Sequence, residues 1–154
     1  MTKQRHIWLT VVFTTLLLCV PSGLACECEP PNQQNVFSHS SAVFIGEVVD
    51  IANSDVPLFP DLKPRPKSSY AVTFRVIEHW KGVSGSQIIV HSDLGGLPCH
   101  QFAFRKGEKY LVYAEGKHFI AITGCTRSRI VENSDYYRSE LRGLGPGKKP
   151  KPRV

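Results

Sequence analysis

Tyr70–Trp80 reads YAVTFRVIEHW. Tyr70, Val72, Phe74, Val76 and Glu78 fall on one side of an extended chain, and Ala71, Thr73, Arg75, Ile77 and His79 on the other. This period of two predicts a half-buried strand, ended by Lys81-Gly82. Ala42–Ile51 (AVFIGEVVDI) is rich in β-branched and aromatic residues and predicts a second strand, with Gly46 as a bulge or bend. Ser86–His91 (SQIIVH) predicts a third. Lys109–Glu115 (KYLVYAE) and His118–Thr123 (HFIAIT) predict a hairpin turning at Glu115-Gly116-Lys117. Between the first two strands, 53–69 carries Pro57, Pro60, Pro64 and Pro66 and reads as a long loop, a class that is usually functional or disordered. One short helix fits Asn32–Ser41, starting at Asn32, and another fits Asn133–Gly143, with Ser134 as N-cap and Gly143 as its stop. Together these predict an all-β domain with small helices, built as a five-stranded closed barrel of the oligonucleotide/oligosaccharide-binding (OB) type, with a sandwich as the alternative.

The 154 residues suit one ordinary domain, and 42% apolar with 21% charged residues is the mix of a packed globular protein. The formal charge of +6 sits at the two ends. Lys3 and Arg5 lie near the start, and Lys148, Lys149, Lys151 and Arg153 near the end, whereas residues 26–145 hold 13 basic and 13 acidic side chains. A nucleic-acid-binding body would carry a basic face, so nucleic acid is not an expected partner. Residues 146–154 (GPGKKPKPRV from Gly145 on) have too little apolar content to pack and read as a basic disordered tail.

Residues 1–25 read as a secretory signal. After Lys3 and Arg5, Ile7–Val20 is an uncharged, mostly apolar run of 14 residues, shorter than the roughly 20 needed to span a membrane. Pro21-Ser22 breaks it, and Gly23 and Ala25 put small residues where signal peptidase reads. Cleavage after Ala25 makes Cys26 the first mature residue of a domain spanning 26–145, in a secreted or periplasmic protein. Lipid anchoring at Cys26 is the minor alternative, because the branched apolar residue of a lipoprotein box is here Gly23. Cleavage also removes Cys19 and leaves Cys26, Cys28, Cys99 and Cys125, an even set that predicts two disulfides after export. One residue between Cys26 and Cys28 seldom permits their direct bond, which leaves two long-range pairings. Each bond would close a loop of roughly 70–100 residues, worth on the order of 2–5 kcal/mol.

Enzyme motifs are missing from the sequence: it has no HExxH, GxSxG, phosphate loop or strand-linked GxGxxG. His39, His79, His91, His100 and His118 lack helix-face metal spacing and read as surface or strand-edge histidines. Glu27 and Glu29 lie on an extended arm, an odd place for an acid/base pair. No enzymatic activity and no cofactor are expected.

The unusual feature is Cys26-Glu27-Cys28-Glu29-Pro30-Pro31 at a newly freed terminus. With its sulfur in a disulfide, Cys26 still offers an α-amine and its own carbonyl, which together can form a five-membered chelate ring on a metal. An α-amine has a pKa near 8, so a useful neutral fraction exists at physiological pH. Disulfides and Pro30 would hold this end rigid and lower the entropy cost of docking.

On this motif the chain resembles the N-terminal, netrin-like domain of the tissue inhibitors of metalloproteinases. The resemblance extends through Val43–Val49, Tyr70–Gly82 ending in Trp80-Lys81-Gly82, Cys99, Gly107–Val112 (GEKYLV) and Cys125, and covers most of 26–145. It implies the OB-like barrel and the pairings Cys26–Cys99 and Cys28–Cys125. It implies that Cys26 chelates the catalytic zinc of a target metalloprotease through amine and carbonyl, displacing the attacking water. Glu27 would then point into the specificity pocket, Cys28, Glu29 and Pro30 would run along the cleft, and Leu97, Pro98, Cys99 and His100 would complete the wedge. Rim contacts would come from loop 53–69. The family's third disulfide has no cysteines here, and its second domain has no counterpart, as in single-domain bacterial relatives. Glu27 replaces a small uncharged residue; burying its carboxylate costs several kcal/mol unless it is paired, so either the target's pocket carries a Lys or Arg or ordinary matrix proteases are poorly inhibited. The protein is expected to act as a monomer. The alternative from another class is a non-inhibitory interaction module whose basic tail touches an acidic glycan or membrane surface.

Overall fold

The computed structural model describes residues 32–56, 69–93, 103–117, 120–122 and 126–151. The described chain is mostly β. Strands β1 (Ala42–Ser54), β2 (Ser69–Lys81), β3 (Gln87–Asp93), β4 (Lys109–Ala114), β5 (Ala121–Ile122) and β6 (Arg129–Ile130) form one curled half-barrel sheet in the order β5-β3-β2-β1-β4-β6. Two short helices, α1 (Gln33–His39) and α2 (Asp135–Leu144), accompany it. No helix among the described residues is long and apolar enough to cross a membrane.

The long β1–β2 pair is antiparallel and is interrupted by register shifts at Val43/Phe44, Ile45/Gly46 and Val48/Asp50. Such bulges bend a ladder and increase its twist, which lets a long hairpin curl. Gly46 sits at one of them, as its sequence context predicts. A Cβ there would stand 2.9 Å from a Phe44 ring carbon and 3.0 Å from the Phe74 Cβ, so glycine allows two core rings to close over the backbone.

The sheet is packed on both sides. Inside the curl lie Phe44, Val48, Val72, Phe74, Val76, Val90 and Val112. Edge-to-face rings extend this core, with Phe44–Phe74 centroids 5.4 Å apart and Phe74–Phe104 centroids 5.2 Å apart. On the other side Val43, Ile45, Leu111 and Tyr113 pack under Val36 of α1 and Tyr137 of α2. Burial on both faces explains why Ala42–Gly46 and Tyr110–Ala114 are buried without alternation.

Four features differ from the sequence reading. The register shift between Ile45/Gly46 leaves Ile77 as the extra residue of β2, so Glu78 does not share a face with Val76. It pairs with Ile45 on the helix-covered side, where the Gly147 N–H donates to its carboxylate at 2.9 Å. Among the described residues the expected hairpin shows one antiparallel backbone bridge, between Glu115 and Ala121 (2.9 and 2.7 Å), and β5 also runs parallel to β3 through His91↔Ala121 and Ser92↔Ile122. A sixth strand, β6, pairs with β4 and is too short to carry a period. Finally, α2 ends later than expected. Ser134 caps its start, accepting from Tyr137 N–H at 3.1 Å, but its stop is Gly145 at φ 70°, whose N–H donates to the Leu141 carbonyl.

The beginning of the basic tail is also held. The Trp80 indole donates to the Gly145 carbonyl at 2.9 Å, and His79 and Lys148 exchange backbone hydrogen bonds of 2.9 and 2.8 Å. Composition misses this because the segment docks through backbone groups rather than apolar side chains. Residues 152–154 lie outside the described residues.

Candidate functional site

Cys26, Glu27, Cys28, Glu29, Pro30, Leu97, Pro98, Cys99, His100 and Cys125 all lie outside the described residues, as do 1–25 and the 57–68 part of the long loop. The structure shows the frame from which those segments enter and leave.

Helix α1 begins where the N-terminal arm ends. Asn32 caps it, its side chain accepting from Gln34 N–H at 2.9 Å. The next side chain, Gln33, crosses to α2. Its Nε2 donates to the Glu140 backbone carbonyl at 2.8 Å and to the Tyr113 hydroxyl at 3.3 Å. Its Oε1 lies against Gly143, where a Cβ would come within 1.9 Å of it. This contact explains a glycine inside the helix: Gly143 is the floor of the Gln33 seat, not the helix stop. Beside the seat, α1 and α2 leave an open groove of about 170 Å³.

The chain emerging from the segment that contains Cys125 reaches the same place. Arg127 Nε donates to Glu140 Oε1 at 2.8 Å, and its second nitrogen reaches Glu140 Oε2. The Tyr113 hydroxyl donates to Glu140 Oε1 at 2.7 Å. Ser128 fixes the backbone beside it, accepting from Tyr113 N–H at 2.8 Å and donating to Tyr113 carbonyl at 3.1 Å. Gln33 and Arg127 therefore converge on one residue, Glu140.

The strand β3, whose exit leads toward Cys99, pairs with β5. Because β3 and β5 are parallel at Ser92↔Ile122, both chains leave the sheet in the same direction. Chain geometry limits the span from Ile122 to Thr126 to about 14 Å.

Glu140 is 2% exposed and the Arg127 side chain 12%. Burial alone would raise the Glu140 carboxyl, but the bidentate Arg127 fork and the Tyr113 hydroxyl hold it below the ordinary glutamate range. Burial, reinforced by the Glu140 charge, pushes the Tyr113 phenol well above its usual value even though Gln33 donates to it. Arg129 stacks its guanidinium 3.7 Å from the Tyr136 ring centroid and adds positive charge nearby.

Among the described histidines, His39 is exposed, with Nδ1 2.7 Å from the Asn35 carbonyl, and His91 Nδ1 lies 3.1 Å from Ser54 Oγ. No group of three or more His, Cys, Asp or Glu that could hold a metal occurs among the described residues.

Sequence reasoning missed Gln33, Tyr113, Arg127 and Glu140. One signal was present. Tyr137, Leu141 and Leu144 form the apolar stripe of α2, and Glu140 falls within that stripe. A carboxylate on a buried stripe needs a buried partner.

No protein-family model matches the chain, and no curated protein matches it.

Proposed function

We propose that the protein is a secreted inhibitor of a zinc metalloprotease, acting through the amine and carbonyl of a mature N-terminal Cys26. The observation that carries the reading is the convergence of Gln33 and Arg127 on Glu140. It brings Gln33, five residues past Cys28, and Arg127, two residues past Cys125, to one buried side chain, which is compatible with the Cys28–Cys125 bond that the resemblance implies. The parallel exit of β3 and β5 sends the chain leading to Cys99 the same way as the chain leading to Cys125, and the companion bond, Cys26–Cys99, is the one the resemblance implies. An arm tied at both cysteines is the pre-organised end that chelation in trans requires.

The strand order supports the OB-type barrel. β1 lies between β2 and β4, β3 runs parallel to β5, and the Glu115–Ala121 bridge ties β5 back to β4. The helices and β6 are additions to that barrel.

In this reading residues 1–25 are removed on export. The neutral α-amine and the Cys26 carbonyl bind the target's zinc and displace its water. Glu27 enters the specificity pocket and selects a target with a Lys or Arg there, since an unpaired buried carboxylate is costly. Cys28, Glu29 and Pro30 follow the cleft, and Leu97, Pro98, Cys99 and His100 close the wedge.

The test is titration of purified mature protein against a panel of zinc proteases, beside a form with one alanine added before Cys26. Inhibition of at least one protease that the extra alanine abolishes supports the mechanism; equal potency of the two forms refutes it.

A further inference from the structure

We infer that Gln33 is a positioning residue for the N-terminal arm, locked into a seat on α2 whose floor is Gly143. This rests on the proposed inhibitory reading. Three observations on different residues define the seat. Gln33 Nε2 is satisfied by the Glu140 carbonyl and the Tyr113 hydroxyl at 2.8 and 3.3 Å. The Glu140 carbonyl is fixed because its side chain is gripped by Arg127 and Tyr113. Gly143 keeps ordinary helical backbone, so its missing side chain serves the approach of Gln33 rather than a turn.

The seat lies one residue past the Asn32 cap, at the base of the arm, and adds a fixed point to the two disulfides proposed for Cys26 and Cys28. Losing the seat frees α1 to rotate or fray at its first turn. A seven-residue helix has little stability without tertiary contacts. The proposed disulfides alone then hold the arm, its base no longer aligned against α2, and binding must restore that alignment.

Gly143 offers a way to separate this role from stability. An alanine methyl there would meet the end of a flexible side chain, which can move away. Alanine is also the better helix former. Gly143→Ala should therefore evict Gln33 without weakening α2.

The experiment compares mature protein with Gly143→Ala, Gln33→Ala and the double variant. It measures thermal midpoint, amide hydrogen exchange at Gln34–Phe37, and inhibition of whichever zinc protease the parent inhibits. The expected result for Gly143→Ala is an unchanged or higher midpoint, about tenfold faster exchange in α1, and about tenfold weaker inhibition, as loss of one or two hydrogen bonds would give. Gln33→Ala should match it in exchange and potency, with a lower midpoint because it lacks the helix gain at 143, and the double variant should add nothing to the loss of potency because both changes empty one seat. Parent-like exchange and potency in Gly143→Ala overturn the inference. If the parent inhibits no protease, the inhibitory reading fails, and the exchange comparison still decides whether Gln33 holds the arm's end.

Discussion

The Tyr113 hydroxyl, carried by a central strand, donates to the Glu140 carboxylate on α2 at 2.7 Å, and the same oxygen accepts from Arg127 Nε at 2.8 Å. One buried acid thus ties together the sheet, a helix and the chain that follows Cys125. Breaking a buried pair by removing one partner costs about 3–5 kcal/mol, because the other charge is left without compensation. Glu140→Ala should lower unfolding stability by that order. Tyr113→Phe, which removes a single hydroxyl, should lower it by about 1–2 kcal/mol. Urea denaturation of the three proteins checks both values.

The same acid sets a pH dependence. Its folded-state pKa lies below the ordinary glutamate value of 4.5. Its stabilisation is therefore whole above 4.5 and is lost as pH falls through the lower folded value. Thermal midpoints taken from neutral pH down into the acid range should decline below pH 4.5, and Glu140→Gln should lack this part of the decline. An identical acid profile in that variant would show that other carboxylates dominate.

Gly82 turns the chain from β2 toward β3 at φ 68°, and a Cβ there would lie 1.8 Å from the Ser41 backbone oxygen. Backbone cannot move aside as a flexible side chain can. Gly82→Ala should cost at least about 2 kcal/mol from left-handed strain and overpacking combined. Gly107 has φ 85° with nothing within 4 Å of a Cβ, so Gly107→Ala should carry only the strain, about 1–2 kcal/mol. Paired denaturation curves give the comparison.

The pinned start of the tail makes truncations unequal. Removing residues 149–154 should leave the thermal midpoint unchanged. Removing 147–154 takes away the His79–Lys148 backbone pair and the Gly147–Glu78 bond. That should cost about 1–3 kcal/mol. Retention on an acidic glycan column, compared between these forms, tests whether the basic end also binds such surfaces.

Periodicity made most of the sheet legible. Tyr70–Trp80 marks β2, AVFIG marks β1 with a register shift at Gly46, Ser134 marks a helix cap and Asn32 the start of the other helix, which it caps, because each is decided by local backbone chemistry. Glu78 lies on the opposite side from the one its period predicts, because a register shift is a property of two strands together. β5's parallel partner and the docking of Lys148 are likewise long-range pairings without a local signature. Gly143 looked like a stop because glycine commonly ends helices; its reason, the Gln33 side chain, lies on another helix. Of the binding residues proposed from sequence, Cys26–Pro30 and Leu97–His100 lie outside the described residues; Gln33 follows the first stretch, and β3 and Phe104 flank the second.

Chelation by an amine also predicts its own pH limit. Protons compete for the nitrogen below its pKa near 8, so inhibition should weaken below about pH 7 even where the fold is intact. Potency that stays level down to about pH 5 would point to contacts other than the amine.

Intact-mass analysis with disulfide mapping of the exported protein shows whether the proposed functional end, an unblocked Cys26 held by two disulfides, exists. The expected result is a chain beginning at Cys26, with a free amine and the bonds Cys26–Cys99 and Cys28–Cys125. An acylated or extended terminus, or free thiols at these positions, would contradict it.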